Sequence, residues 1–269
     1  MIAGIAGVNP KYGTLGDVAL CKYATQVALQ YEFDAREKPA NFSTGYFPQG
    51  SYSPDEYPGF IYGTEVYEVN EALRDIAIRF ASAGRLNDSA EAIAYRANYA
   101  PGGTGPYVAA TKPPSVHACD VATSDVYYSG ALLNEAFENT TRLFTNGSGI
   151  LCMSAQEDNA TLEALLRASV SKLVDFSRII IMRTGSDFIS QYPGQSPEDN
   201  LLYANPGGEE PALQNIYIAG VEVVQGILNN WDKGLVFKNG IKPTNYIGNI
   251  FGSLGGEPDF GPGSITLAG

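Results

Sequence analysis

The sequence predicts a single α/β domain, and two observations carry that prediction. Between residues 149 and 188, two short apolar runs flank a stretch with apolar residues at helical spacing, which indicates a strand–helix–strand unit. An amphipathic helix follows at about 211–230. The 269 residues are 44% hydrophobic and 17% charged, which is a globular composition, and no repeat or domain-scale linker divides them.

The first half of the chain predicts mostly short elements. Gly4-Ile-Ala-Gly-Val-Asn-Pro10 indicates a glycine turn, and the alternation of side chains over 22–33 indicates one long half-buried strand. Spacing of apolar residues predicts helices at about 65–83 and 88–96. Clusters of Pro and Gly predict loops at 39–63 and 100–114.

The unit at 149–188 is the best defined. Gly149–Ser154 forms the first strand, Asp158 or Asn159 caps the helix, and Arg178–Met182 forms the second strand. Because only a helix connects them, we expect the two strands to be parallel with a right-handed crossover. From about residue 234 the chain is rich in Gly and Pro, and we expect loose packing there.

The composition excludes several classes of function. With 17 Lys+Arg against 29 Asp+Glu the net charge is −12, which disfavours a nucleic-acid surface and an anionic membrane surface. No run of about 18 apolar residues could span a bilayer, and no signal peptide is recognisable. Three cysteines far apart and a single His predict buried free thiols and no metal site.

Acidic residues follow both strands of the unit. Ligands bind beyond the carboxyl ends of parallel strands, so Glu157 and Asp187 are expected to face one crevice. Two carboxylates there suit acid–base chemistry, since burial raises one pKa enough for that group to donate a proton. The alternative is structural, with Asp158 as a helix cap and Asp187 as a turn residue.

Three further features are weaker candidates. Tyr127 or Tyr128, after Ser124-Asp125, offers a face for a flat ligand, although packing is the usual role of a tyrosine in a chain with 17 of them. The Gly4–Gly7 turn could present backbone N–H groups to an anion. His117 fits a structural histidine better than a catalyst.

Several motifs together closely resemble the fungal purine nucleoside permease family. The resemblance covers about residues 3–232. The motifs are Gly4-Ile-Ala-Gly-Val-Asn-Pro-Lys11, Leu15-Gly-Asp17, Gln26-Val-Ala-Leu-Gln-Tyr-Glu32, Asp34-Ala-Arg-Glu-Lys-Pro39, Tyr62-Gly-Thr-Glu65, Pro113-Pro-Ser-Val116, Cys119-Asp120 and Met182-Arg-Thr-Gly-Ser-Asp187.

That family is similar to the nucleoside phosphorylase and nucleosidase superfamily, and the resemblance implies the fold. It implies one three-layer α/β/α domain at 1–233 with a mixed, partly barrel-like sheet, followed by a Gly/Pro-rich tail at 234–269. It also implies an N-terminal truncation, with the opening strands of the sheet missing and an edge exposed.

The resemblance also implies roles for individual residues. Asp187 corresponds to the general acid that protonates the leaving purine, with Ser186, Tyr127 and Asp125 binding the base. Glu157 and Gln156 correspond to the groups that bind the ribose. The remaining matches line the phosphate or water side: Gly4, Ala6, Gly7 and Gly16-Asp17.

The function implied is binding of purine nucleosides and cleavage of their N-glycosidic bond, by phosphorolysis or hydrolysis. Phosphate would be a co-substrate in the first case, no cofactor is expected, and the superfamily is commonly homo-oligomeric. Two alternatives stay open: a non-catalytic nucleoside binding or transport factor, and an inactive truncated product. Five N-x-S/T sequons are a mild excess over chance, which is consistent with a secretory location for the full-length form. The alternative, cytosolic sequons that are never modified, stays open.

Overall fold

A computed structural model describes residues 1–233 and 236–260, with the side chain of Val236 outside the description. In this part of the chain, eleven strands and six α-helices make a mixed α/β fold, as predicted. The strands are β1 (Ile2–Val8), β2 (Val18–Cys21), β3 (Tyr23–Gln26), β4 (Gln30–Glu32), β5 (Tyr46–Pro48), β6 (Val66–Glu68), β7 (Val116–Ala118), β8 (Asp120–Thr123), β9 (Leu151–Ala155), β10 (Ile181–Phe188) and β11 (Gly248–Asn249). The helices are α1 (Glu71–Ala81), α2 (Ala90–Arg96), α3 (Ala131–Phe144), α4 (Asp158–Val170), α5 (Glu209–Asn229) and α6 (Val236–Asn239).

Nine strands form one mixed sheet in the order β11-β6-β3-β8-β9-β1-β10-β2-β7. Strand β1 lies inside this sheet, parallel to β10 on one side and antiparallel to β9 on the other. The expectation that β9 and β10 are parallel is therefore wrong, because β1 separates them and matches the direction of only one. The exposed edge expected from missing opening strands does not lie at β1, which has a strand on both sides.

The sheet curls because two of its long strands bend. Strands β2 and β3 are joined by the single residue Lys22, and β7 and β8 by the single residue Cys119. The buried carboxylate of Asp120 stabilises both bends, since it accepts hydrogen bonds from the backbone N–H groups of Lys22, Tyr23 and Ile150 at 2.9–3.1 Å. Side chains from strands close to each end of the order, such as Tyr67 on β6 and Ala19 on β2, then share one core, as a partly barrel-like sheet requires.

Helices cover both faces of the sheet. Helices α1 and α5 pack on alternate residues of β2 and β10, with Leu73 and Val223 against Leu20 and Met182. Helix α4 packs on the opposite face through its buried leucine residues. The three-layer arrangement follows from this alternation, because successive strand residues point to opposite faces.

Three local predictions are corrected by the structure. The glycine turn at 4–10 is mostly strand β1, and the long strand at 22–33 is two strands in different sheets. The predicted strand at 22–33 divides after Gln26 because the partner of β3, strand β8, ends opposite that residue. Strand β4 then pairs with β5. The helix expected from residue 65 begins after Asn70, whose side chain caps it. The first part of that stretch is strand β6.

The Gly/Pro-rich tail is anchored in its described part. Strand β11 extends the main sheet, and the side chains of Ile250 and Phe260 are buried. Asn245 donates hydrogen bonds to the side chain of Glu68 and the backbone of Val69. Loose packing is thus wrong for 236–260, while 234–235 and 261–269 lie outside the described residues.

Candidate functional site

A cavity of about 510 Å³ opens between β1, β9 and β10. Strands β1 and β9 pair at only two positions, Gly7 with Ser154 and Val8 with Met153. Beyond those pairs the strands separate, and the cavity occupies the gap. Its lining includes eight of the eleven residues to which the family resemblance assigns a role: Gly4, Ala6, Gly7, Tyr127, Gln156, Glu157, Ser186 and Asp187.

Strand β1 lines the cavity with Gly4, Ile5, Ala6 and Gly7, so three of its four lining residues are glycine or alanine. A Cβ atom on Gly4 would lie 2.3 Å from Nη1 of Arg183, and one on Gly7 would lie 2.5 Å from the Ile189 side chain. Because these glycines have no side chain, Arg183 and Ile189 can approach strand β1 closely. The sequence suggested that these glycines form a turn that presents backbone N–H groups. In the structure they instead provide space beside the strand.

Asp187 lies at the end of the cavity next to Gly7. It pairs with Gly7 in the ladder between β1 and β10, and its Oδ1 accepts a hydrogen bond from the Ser186 hydroxyl at 2.7 Å. The residue is open to solvent through the cavity mouth, yet protein atoms crowd its carboxyl group. This desolvation raises the pKa of Asp187, and the Ser186 hydrogen bond opposes the shift.

A buried ion pair lies at the other end of the glycine wall. Arg183 is 2% exposed, and its Nη2 donates to Oε1 of Glu157 at 2.7 Å and to Oδ1 of Asp158 at 2.8 Å. Burial by itself lowers the pKa of Arg183, but the two carboxylates outweigh it and the pKa is raised. Burial raises the pKa of Asp158, against the opposing charge of Arg183. The guanidinium therefore stays charged beside the cavity.

The two acidic residues that pair with Arg183 differ in exposure. The side chain of Glu157 is 59% exposed and lines the cavity, whereas that of Asp158 is fully buried. Arg183 thus holds Glu157 in place at the cavity while Asp158 supplies the buried counter-charge. Arg183 is not among the site residues that the sequence predicts. The signal was present, because a charged residue that ends a buried apolar strand needs an ionic partner.

Tyr127 and Gln156 lie together at the rim. Tyr127 is 77% exposed, and its hydroxyl donates to Oε1 of Gln156 at 3.3 Å. The neighbouring Tyr128 is buried and stacks on Phe137, with ring centroids 3.9 Å apart. Of the two tyrosines, only Tyr127 presents an open ring face to a ligand.

The other three predicted site residues, Asp125, Gly16 and Asp17, lie outside the lining of this cavity. Asp125 is exposed and is not part of the lining, although its neighbours Ser124 and Val126 are. Asp17 is buried and accepts hydrogen bonds from the backbone N–H groups of Thr14 and Ser115 at 2.8 and 2.7 Å. The Gly16-Asp17 element therefore fixes a loop and does not face the phosphate or water side of the cavity.

The cysteines also differ from expectation. Cys119 and Cys152 form a disulfide, so only Cys21 is a buried free thiol. The ring of His117 lies against this pair, with Nε2 4.0 Å from Sγ of Cys152. Because the sulfur atoms of Cys119 and Cys152 are bonded to each other, these cysteines and His117 do not form a thiolate site for a metal in the structure.

Comparison with protein families gives one match over most of the chain. The family model described as purine nucleoside permease (NUP) matches residues 1–242. A purine nucleoside permease of Candida albicans is 44% identical over 274 residues, which cover 100% of this chain and 66% of that protein. A probable purine nucleoside permease of Schizosaccharomyces pombe is 36% identical over 86% of this chain and 67% of its own length. The chain thus spans about two thirds of the length of these relatives.

Solved structures give distant likenesses. The 5′-methylthioadenosine/S-adenosylhomocysteine nucleosidase of Neisseria meningitidis is 12% identical, with a TM-score of 0.42 over 82% of this chain and 67% of that one. The corresponding enzyme of Colwellia psychrerythraea, in complex with adenine, is also 12% identical, with a TM-score of 0.41 over 83% and 65% of the two chains.

No helix in the described ranges is long and apolar enough to cross a membrane.

Proposed function

Because the chain belongs to the purine nucleoside permease family, we propose that it binds purine nucleosides in this cavity and cleaves their N-glycosidic bond. One observation carries the proposal: Asp187 and the Glu157–Arg183 pair lie at opposite ends of the glycine wall and face the same space. A nucleoside offers a base to one end of such a site and a sugar to the other.

Asp187 is the proposed general acid. Cleavage leaves negative charge on the departing purine, and a protonated carboxyl beside the leaving nitrogen neutralises it. Desolvation favours the protonated form of Asp187, and the Ser186 hydroxyl orients the carboxyl through its 2.7 Å hydrogen bond. A positioned acid of this kind contributes about 10²–10⁴-fold in rate.

Glu157 is the proposed ribose ligand. An ionised carboxylate can accept hydrogen bonds from two neighbouring hydroxyls at once. Arg183 holds Oε1 of Glu157 and leaves it exposed toward the cavity. Gln156 and Tyr127 close the rim, where the exposed tyrosine ring could cover a flat purine.

The acceptor enters along β1 in this proposal. Gly4, Ala6 and Gly7 line a side of the cavity on which water or phosphate can approach the sugar. Phosphate as co-substrate makes the protein a phosphorylase, and water makes it a nucleosidase.

The second candidate is a nucleoside-binding or uptake factor without turnover, favoured by the name of the relatives. One experiment separates the two. The purified protein is incubated with adenosine, inosine or guanosine, with and without phosphate, and free purine is measured by chromatography. Phosphate-dependent release supports phosphorolysis, and release without phosphate supports hydrolysis. Saturable nucleoside binding without release contradicts the catalytic proposal and supports the second candidate.

The rate of purine release is expected to fall as the pH rises. A general acid acts only while protonated, and above its pKa the protonated fraction falls tenfold per pH unit. Because desolvation raises the pKa of Asp187, this decline begins at a higher pH than for an ordinary aspartate. A pH profile of the rate at saturating nucleoside tests this. A rate that increases steadily through the same range would contradict the assigned role.

A further inference from the structure

The five glycosylation sequons differ sharply in their structural setting. Asn41 and Asn146 are exposed and lie in turns, Asn146 with a positive φ of 49°. Within the described ranges, neither side chain forms a hydrogen bond with the protein. An amide nitrogen of this kind can carry a bulky substituent that projects into solvent without displacing any contact.

The other three asparagines are engaged by the fold. The Asn159 side chain is buried and donates to the backbone carbonyls of Thr64 and Ala24 at 2.8 and 3.3 Å. Asn139, on α3, donates to the carbonyl of Pro54 at 2.6 Å. A glycan on Asn159 would replace one of its two donated hydrogens and force its buried neighbours apart, and a glycan on Asn139 would crowd the segment at Pro54. The third, Asn87, is exposed but donates to Gln214 on α5, and its backbone is held by another residue of that helix.

The disulfide is an observation independent of the sequons, and it indicates the compartment in which the chain folds. Cys119 and Cys152 are buried, with Cα atoms 5.9 Å apart, and are joined through their sulfur atoms. Disulfides form and persist in oxidising compartments such as the endoplasmic reticulum and the cell exterior. Asparagine-linked glycans are added to chains that enter that route.

We propose that Asn41 and Asn146 carry N-linked glycans, and that the chain folds in the oxidising secretory pathway. The co-reactant is a lipid-linked oligosaccharyl diphosphate. A bond forms between Nδ2 of the asparagine and C1 of the first sugar, and the bond from C1 to the diphosphate oxygen breaks. The amide nitrogen loses one proton, and the lipid diphosphate leaves with the bonding electrons.

Both proposed sites are compatible with an open cavity. Neither Asn41 nor Asn146 belongs to the cavity lining, whereas Asn159 follows Glu157 and Asp158 directly on the first turn of α4. Glycans at the two exposed turns therefore leave nucleoside binding unchanged.

The direct test uses the protein isolated from the cells that make it. Peptide N-glycosidase converts each glycosylated asparagine to aspartate, and a peptide mass map then identifies the converted positions. We expect conversion at Asn41 and Asn146 only, and a cross-linked Cys119–Cys152 peptide in the map made without reductant. Unconverted Asn41 and Asn146, or conversion at Asn139 or Asn159, overturns the proposal.

Single substitutions give a second measurement. Asn41→Gln and Asn146→Gln are each expected to remove one glycosidase-sensitive step from the apparent mass on a gel, in the same host. Asn87→Gln is the matched control, because it deletes an exposed sequon that we expect to be unmodified, and it should remove none. A glycosidase-sensitive shift that persists in the Asn41→Gln/Asn146→Gln double variant also overturns the proposal.

Discussion

Asp187→Asn is expected to reduce purine release by about 10²–10⁴-fold while nucleoside binding stays within a few-fold of the original. Asparagine has nearly the same shape and can still accept the Ser186 hydrogen bond, but it has no acidic proton to give to the leaving base. Chromatography of free purine measures the rate, and calorimetric titration with the nucleoside measures binding. The variant should also lose the decline in rate at high pH.

Asp199→Asn is the matched control for this change, because Asp199 is exposed and lies outside the cavity lining. Its rate of purine release should equal that of the original protein. Substantial release by Asp187→Asn would remove Asp187 from the role of general acid. An equal loss of rate in both variants would show that the effect does not come from the cavity.

Arg183→Met is expected to destabilise the fold by about 3–5 kcal/mol, the usual result of removing one partner of a buried ion pair. Methionine fills much of the same space, but Asp158 is fully buried and loses its counter-charge. Urea unfolding followed by circular dichroism measures the free energy of unfolding. Nucleoside affinity should also fall, because Glu157 loses the partner that positions it.

The sign of the pH dependence identifies the cause of this destabilisation. Without Arg183, Asp158 has a pKa in the folded state well above its value in the unfolded state. The unfolded chain then gives up its proton more readily, so the stability of the variant falls as the pH rises above the unfolded value. If the free energy of unfolding of the variant is lower than that of the original protein by the same amount at pH 5 and pH 8, the cause is lost packing and not an unpaired charge.

Arg167→Met is the matched control for the charge removed. Arg167 is 78% exposed and pairs with Glu163 one turn away on α4. Exposed pairs of this kind contribute little, because water screens them and both side chains lose freedom. The control should unfold at nearly the same urea concentration as the original protein.

Prediction from the sequence was accurate where a signal is local. The apolar spacing located β9, α4 and α5 within a few residues, and the acidic residues after the predicted strands do line one cavity. Such signals depend on neighbours in the chain and need no knowledge of distant partners.

What the sequence could not supply depends on distant contacts. The directions of β9 and β10 follow from β1, which inserts between them from the start of the chain. The bends at Lys22 and Cys119 depend on a carboxylate, Asp120, that reaches backbone groups of three separate segments. The pairing of Arg183 with Glu157 and Asp158 joins two strand ends that only the folded sheet brings together.

The position of β1 also has a consequence for how the protein folds. Its two neighbours, β9 and β10, both lie in the second half of the described chain, far from β1 in sequence. Pairings between such distant segments are slow to form, because a long loop must close before any hydrogen bond rewards it. Until β9 and β10 have been made, the Ile2–Val8 segment has neither of its native partners and needs protection from pairing with other chains. The wall of the cavity is one of the last parts of the molecule to be completed.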